Sequence, residues 1–197
     1  MEKNIDPFSP EQSLQLIQLM ISKTKANISE NTVYFLLWGW LSFSAILGQY
    51  FLKVALNYPH HYLVWLITFV GIFGSIMQTR KRKQNKYART YIGASMSYLW
   101  TGLGVSFFIL TLIFFKLEDG WLICYPFFIM LYGLGTFVSG KILQFKPLVI
   151  GGIINWVLAI AATYFGFDNQ MLFAAAAILT SYIIPGHLLQ AQKKENG

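Results

Sequence analysis

The chain has 197 residues, 55% of them apolar and 12% charged, with a mean hydropathy of +0.50, too little charge to clothe an ordinary soluble domain. Its formal charge of +7 sits in loops between apolar runs and is not spread over a folded surface, which excludes a soluble nucleic-acid binder. The single cysteine, Cys124, excludes an intramolecular disulfide and reads as a small packing residue.

Residues 1–32 form a cytoplasmic N-terminal segment. They carry Glu2, Asp6, Glu11 and Glu30 and lack the basic start, apolar run and small-residue cleavage site of a signal peptide. Ser9-Pro10-Glu11-Gln12 reads as a helix start, with Ser9 as N-cap, Pro10 in the first turn and Gln12 reaching back. The helix is predicted over about 9–25. At about 100° per residue, Leu14, Leu16, Ile17, Met20 and Ile21 share one arc, and Gln15, Gln18, Ser22 and Lys25 lie opposite. Such a helix is too polar to span and is expected along the cytoplasmic headgroups or across the inner mouth of a bundle. Asn27 with Glu30 is a second capping pair, at the turn into the membrane.

Six apolar segments follow, near 33–56, 62–78, 91–115, 122–143, 148–165 and 171–189, each compatible with the ~20 residues that cross a bilayer. The expected fold is therefore all-α: a polytopic membrane protein with a six-helix transmembrane bundle over 33–190 and a cytoplasmic tail over 191–197. Apart from 79–90 the connectors are short, so consecutive spans are expected to be antiparallel neighbours. With the N-terminus inside, thirteen of the Lys and Arg residues lie on the cytoplasmic side and only Lys53 and Lys116 outside, which predicts both termini in the cytoplasm. Rows of small residues, such as Gly93, Ser97, Thr101 and Gly104, point to close helix packing. An echo between Tyr98–Gly104 and Leu131–Gly135 is a weak sign of duplicated helices. Pro126 and Pro185 are each expected to bend a helix by removing a backbone donor.

The membrane segments hold no charged group at depth, which argues against a carboxylate-coupled pump or an enzyme with intramembrane acids. The deepest polar groups include Gln49, Asn155, Ser97, Thr101 and Tyr132, with the indoles of Trp38, Trp100 and Trp156. Asn155 beside Trp156 is the first choice for a polar contact at the bundle centre, and Tyr132, Trp100, Thr101 and Trp38 are pocket candidates; interhelical hydrogen bonds are the simpler use for them. His60-His61, Glu118-Asp119 and Asp168 come from three outer loops without metal-ligand spacing, so no metal and no cofactor is expected. The run Thr79–Arg89 is topogenic, and Arg80, Lys81, Arg82 and Lys83 are the candidate contacts for anionic lipid or an acidic partner. Catalytic motifs are absent.

The stretches Ser139-Gly-Lys-Ile-Leu-Gln-Phe-Lys-Pro-Leu-Val-Ile-Gly-Gly-Ile-Ile-Asn-Trp156 and Ser29-Glu-Asn-Thr-Val-Tyr-Phe-Leu-Leu-Trp-Gly-Trp40 resemble an uncharacterised group of small six-helix membrane proteins from Bacteroidetes bacteria. That resemblance runs along most of the chain. It implies an inner-membrane location near small helix-turn-helix regulators, and it transfers no functional residue.

The functional expectation is a non-enzymatic integral membrane protein that interacts, or senses membrane state, through its cytoplasmic face. Its partners would be the bilayer itself and a cytoplasmic protein or anionic headgroups; a homo-oligomer stays open. A small carrier or channel for a neutral or apolar solute is the alternative, and a metal-dependent membrane enzyme is the third.

Overall fold

The computed structural model of the protein describes residues 9, 12, 14, 15, 36–84 and 91–195. At the N-terminus the backbone N–H of Ser9 donates to Gln12 Oε1 over 3.1 Å, and that of Gln12 donates to Ser9 Oγ over 3.2 Å. This reciprocal pair is the predicted helix start, and it satisfies two donors that a first helical turn otherwise leaves open. The rest of the expected 9–25 helix and the Asn27–Glu30 pair lie outside the described residues.

The described residues are mostly helical, with no strand among them. Helix α1 covers 36–50 and widens into a π turn at Phe51–Ala55. A 3-10 turn at His61–Leu66 leads into α2, Ile67–Gln84. After α3, Tyr91–Lys116, a 3-10 turn at Gly120–Ile123 opens α4, Cys124–Ile142. Helix α5 is Lys146–Ala162. Helix α6, Phe167–Ile178, continues through a π turn at Leu179–Ile183 into α7, Ile184–Glu195.

Three stretches, Gly93–Lys116, Gly120–Ile142 and Phe167–Ala191, are long and apolar enough to cross a membrane. The chain is a helical membrane protein. The other apolar helices are shorter: α5 has 17 residues and therefore rises about 25 Å, somewhat less than the ~30 Å hydrocarbon core. The apolar part of the second helix, His61–Ser75, gains length from its 3-10 start, which rises ~2 Å per residue.

Helices α1 and α2, α3 and α4, α4 and α5, and α5 and the last helix pack antiparallel. Trp38 Nε1 donates to Ser75 Oγ over 3.2 Å and fastens α1 to α2. Helices α4 and α5 meet most closely, because glycine removes the side chain between them. A Cβ on Gly152 would lie 2.7 Å from the backbone nitrogen of Phe137, and one on Gly140 would lie 2.6 Å from that of Val149. Helix α1 returns to the last helix, where a Cβ on Gly39 would meet that of Tyr182 at 2.9 Å. Small residues thus supply the close approach that lipid alone does not drive.

Helix α3 departs from that expectation. Ser97, Thr101 and Gly104 are exposed, and nothing lies within 4 Å of a Cβ built on Gly104. The reason lies on its other face, where bulky Met96, Leu103 and Phe114 are buried against the bundle, Leu103 covering Gly135 of α4. Large-into-small packing orients the helix, and its small residues are left facing outward.

The two prolines also differ. Pro126 is the third residue of α4, in the first turn, where a missing N–H breaks no helical bond. Pro185 lies inside the last helix, just past the π turn in which Ile184 N–H donates to the carbonyl of Leu179, five residues back. The wider turn is how the helix absorbs the missing donor.

Candidate functional site

Two buried polar clusters stand out, one at the end of the bundle that carries His60 and His61, the other at its centre.

At the histidine end, Gln49 of α1 is 4% exposed. Its Oε1 accepts from Trp65 Nε1 at 2.6 Å and from the Tyr125 hydroxyl at 2.7 Å, and its Nε2 lies 3.1 Å from His61 Nδ1. One amide therefore ties α1 to the 3-10 turn before α2 and to the first turn of α4. One turn further along α1, Lys53 pairs with Asp168 of α6, with its ammonium 4.6 Å from the centre of the Phe167 ring. Lys53, Gly166, Phe167, Asp168 and Asn169 line a shallow open cleft of about 300 Å³. Removal from water pushes the His61 imidazole below its ordinary pKa; Lys53 adds to this and Asp168 opposes it.

At the centre, Asn155 is fully buried and donates from Nδ2 to Ser181 Oγ over 3.2 Å. The Ser181 hydroxyl itself donates to the carbonyl of Ala177 at 2.6 Å, so its oxygen accepts from Asn155, which fixes the amide orientation of Asn155. Asn155 Oδ1 and Ser139 Oγ, both buried, have no hydrogen-bond partner among the described residues. Next to this pair, the Tyr182 ring packs 5.5 Å from Tyr132 and 5.8 Å from Trp100.

The sequence candidates are thus shared out among several contacts. Asn155 turns to the π turn, while Trp156 stacks on Phe137 at 5.1 Å, so neighbours in sequence serve different helix pairs. Tyr132 and Trp100 meet through Tyr182, and Trp38 belongs to the α1–α2 contact. Thr101 is exposed and joins no cluster. The backbone of α2 carries Arg80, Lys81, Arg82 and Lys83, whose side chains lie outside the described residues.

Sequence reasoning did not single out the hydroxyls of Ser139, Ser181 and Tyr182 as polar contacts, and it noted Gln49 without its partners. The available signal for Ser181 was its place four residues before Pro185, where helix bonding must change. Lys53, counted in the sequence only as a charge on the outer side, forms an ion pair with Asp168. Of the outer-loop residues, His60 meets Tyr62 at 3.1 Å and Asp168 takes Lys53; Glu118 and Asp119 stay exposed. Among the described residues no three His, Cys, Asp or Glu side chains gather as a metal site. No family model matches the sequence, and neither a curated protein nor a solved structure matches it.

Proposed function

We propose that the protein is a multi-pass inner-membrane bundle of six spans, with both termini in the cytoplasm, that acts by interaction and not by catalysis. Its cytoplasmic face, formed by the N-terminal amphipathic helix and Arg80–Lys83, engages a cytoplasmic protein or anionic headgroups. The observation that carries this reading is how the buried polar groups are used. Gln49 uses both its amide oxygen and its amide nitrogen on neighbouring helices, and Asn155 bridges to Ser181. These are bonds that fasten helices, while in the sequence most Lys and Arg lie in the segments read as cytoplasmic. Deleting residues 1–25 is expected to abolish co-purification of a cytoplasmic partner and to leave the thermal unfolding of the bundle in micelles unchanged. Unaltered co-purification counts against the reading.

A carrier for a small neutral solute is the second reading, and the unpartnered oxygens of Asn155 and Ser139 beside a π turn favour it. Reconstituted vesicles separate the two. Glycerol permeability above that of protein-free vesicles, lost in Asn155→Leu, supports the carrier; permeability equal to the lipid background supports the interaction protein.

A further inference from the structure

The Gln49 cluster fixes a proton position. An indole nitrogen can only donate, so the Gln49 atom that faces Trp65 must be the carbonyl oxygen, and the same oxygen takes the Tyr125 proton. That leaves the amide nitrogen facing His61 Nδ1 at 3.1 Å. An amide nitrogen also only donates, so Nδ1 is the bare nitrogen, and the single proton of the neutral ring sits on Nε2.

A second proton has only Nδ1 to occupy. There it would confront the N–H of Gln49, and the bond is lost. The amide cannot turn over to accept it without withdrawing its oxygen from Trp65 and Tyr125. We propose that His61 is a proton-binding site that senses acidity at this end of the bundle, its protonation releasing the Gln49 latch that holds α1 to α2 and α4. The ligand is the proton itself, and one uptake event is coupled to three hydrogen bonds across three helices.

The groups around the ring suit that role. Lys53 of α1 and Asp168 of α6 act on it with opposite sign, Tyr125 of α4 shares its Gln49 partner, and His60 and Tyr62 flank it in the same turn. Phe167 of α6 packs 6.5 Å from the imidazole. The side chains of Lys53 and Asp168 are 31% and 50% exposed and line the open cleft. Desolvation, helped by Lys53 and opposed by Asp168, places the transition below the ordinary 6.5. The latch rests on the six-span reading only for its compartment. With both termini inside, this end faces outward, and the acidity sensed is external.

The test uses the full chain in micelles, with nitrogen-15 spectra of the histidines and of the Trp65 indole followed over pH. Near neutral pH His61 is expected as the Nε2–H tautomer. Below 6.5 it should titrate by one proton, and the Trp65 resonance should move with the same midpoint. Lys53→Met should raise that midpoint and Asp168→Asn should lower it. In His61→Gln the Trp65 response should disappear. An Nδ1–H tautomer at neutral pH overturns the proposal. So does a Trp65 resonance that ignores His61 titration down to about pH 4.5, or a shift of the same sign in both charge variants. Should His61→Gln fail to fold, the wild-type tautomer and the coincidence of midpoints decide the matter. Failure here leaves the topology and the cytoplasmic interaction standing, since neither depends on His61.

Discussion

Replacing Gln49 by leucine removes the acceptor of Trp65 and Tyr125 and the donor to His61 in one step, with little change in side-chain volume. Interhelical hydrogen bonds in membrane proteins average about 0.6 kcal/mol, so three of them amount to roughly 2 kcal/mol. The indole and phenol left without an acceptor add to this, because an orphaned buried donor costs about 1–3 kcal/mol where water cannot reach it. The expected total is about 2–4 kcal/mol. Tyr125→Phe is the internal control. It removes a single bond and leaves Gln49 Oε1 with Trp65, so about 1 kcal/mol is expected. Both values can be read from SDS-induced unfolding in mixed micelles, followed by circular dichroism. A Gln49→Leu variant within about 0.5 kcal/mol of wild type, or a Tyr125→Phe variant equally damaged, would refute the shared-amide reasoning.

Three further outcomes follow from particular contacts. Gly152→Val should destabilise the bundle by about 2 kcal/mol or more by driving a side chain into the Phe137 backbone, whereas Gly104→Ala should be neutral or slightly stabilising; equal effects would contradict the packing, and the same unfolding assay reads both. Gln144 ends α4 in the left-handed region at φ 53°, with Phe145 N–H bonded to Gly140 and its own N–H to Lys141, so Gln144→Gly should stabilise by about 0.5–1 kcal/mol and raise the melting temperature. The depressed pKa of His61 means that the unfolded chain binds the proton more readily than the folded one. Stability should therefore be full above 6.5 and decline as pH falls through 6.5 toward the folded value, a loss that melting temperatures of wild type and His61→Gln would reveal.

Much of the fold was legible because it depends on short-range signals. The Ser9–Gln12 cap, the apolar lengths and the disturbance at Pro185 are all set within a few residues. Orientation of a helix about its own axis was not. The row Ser97, Thr101, Gly104 shares one face by periodicity, but which face meets the bundle is decided by Leu103 finding Gly135, a partner on another helix. The same holds for the polar clusters. Gln49 was visible as a deep amide, yet Trp65 and Tyr125 are 16 and 76 residues away, and only the antiparallel return of the chain brings them together. Lys53 and Asp168, 115 residues apart, are paired for the same reason.

Single-cysteine labelling with a membrane-impermeant maleimide, in a chain with Cys124 replaced by serine, tests the proposed topology most directly. In intact cells, cysteines at Asn57, Glu118 and Tyr164 should react, and cysteines at Lys86, Gln144 and Asn196 should react only after permeabilisation. Labelling of the second set from outside, or protection of the first, would contradict six spans with both termini in the cytoplasm.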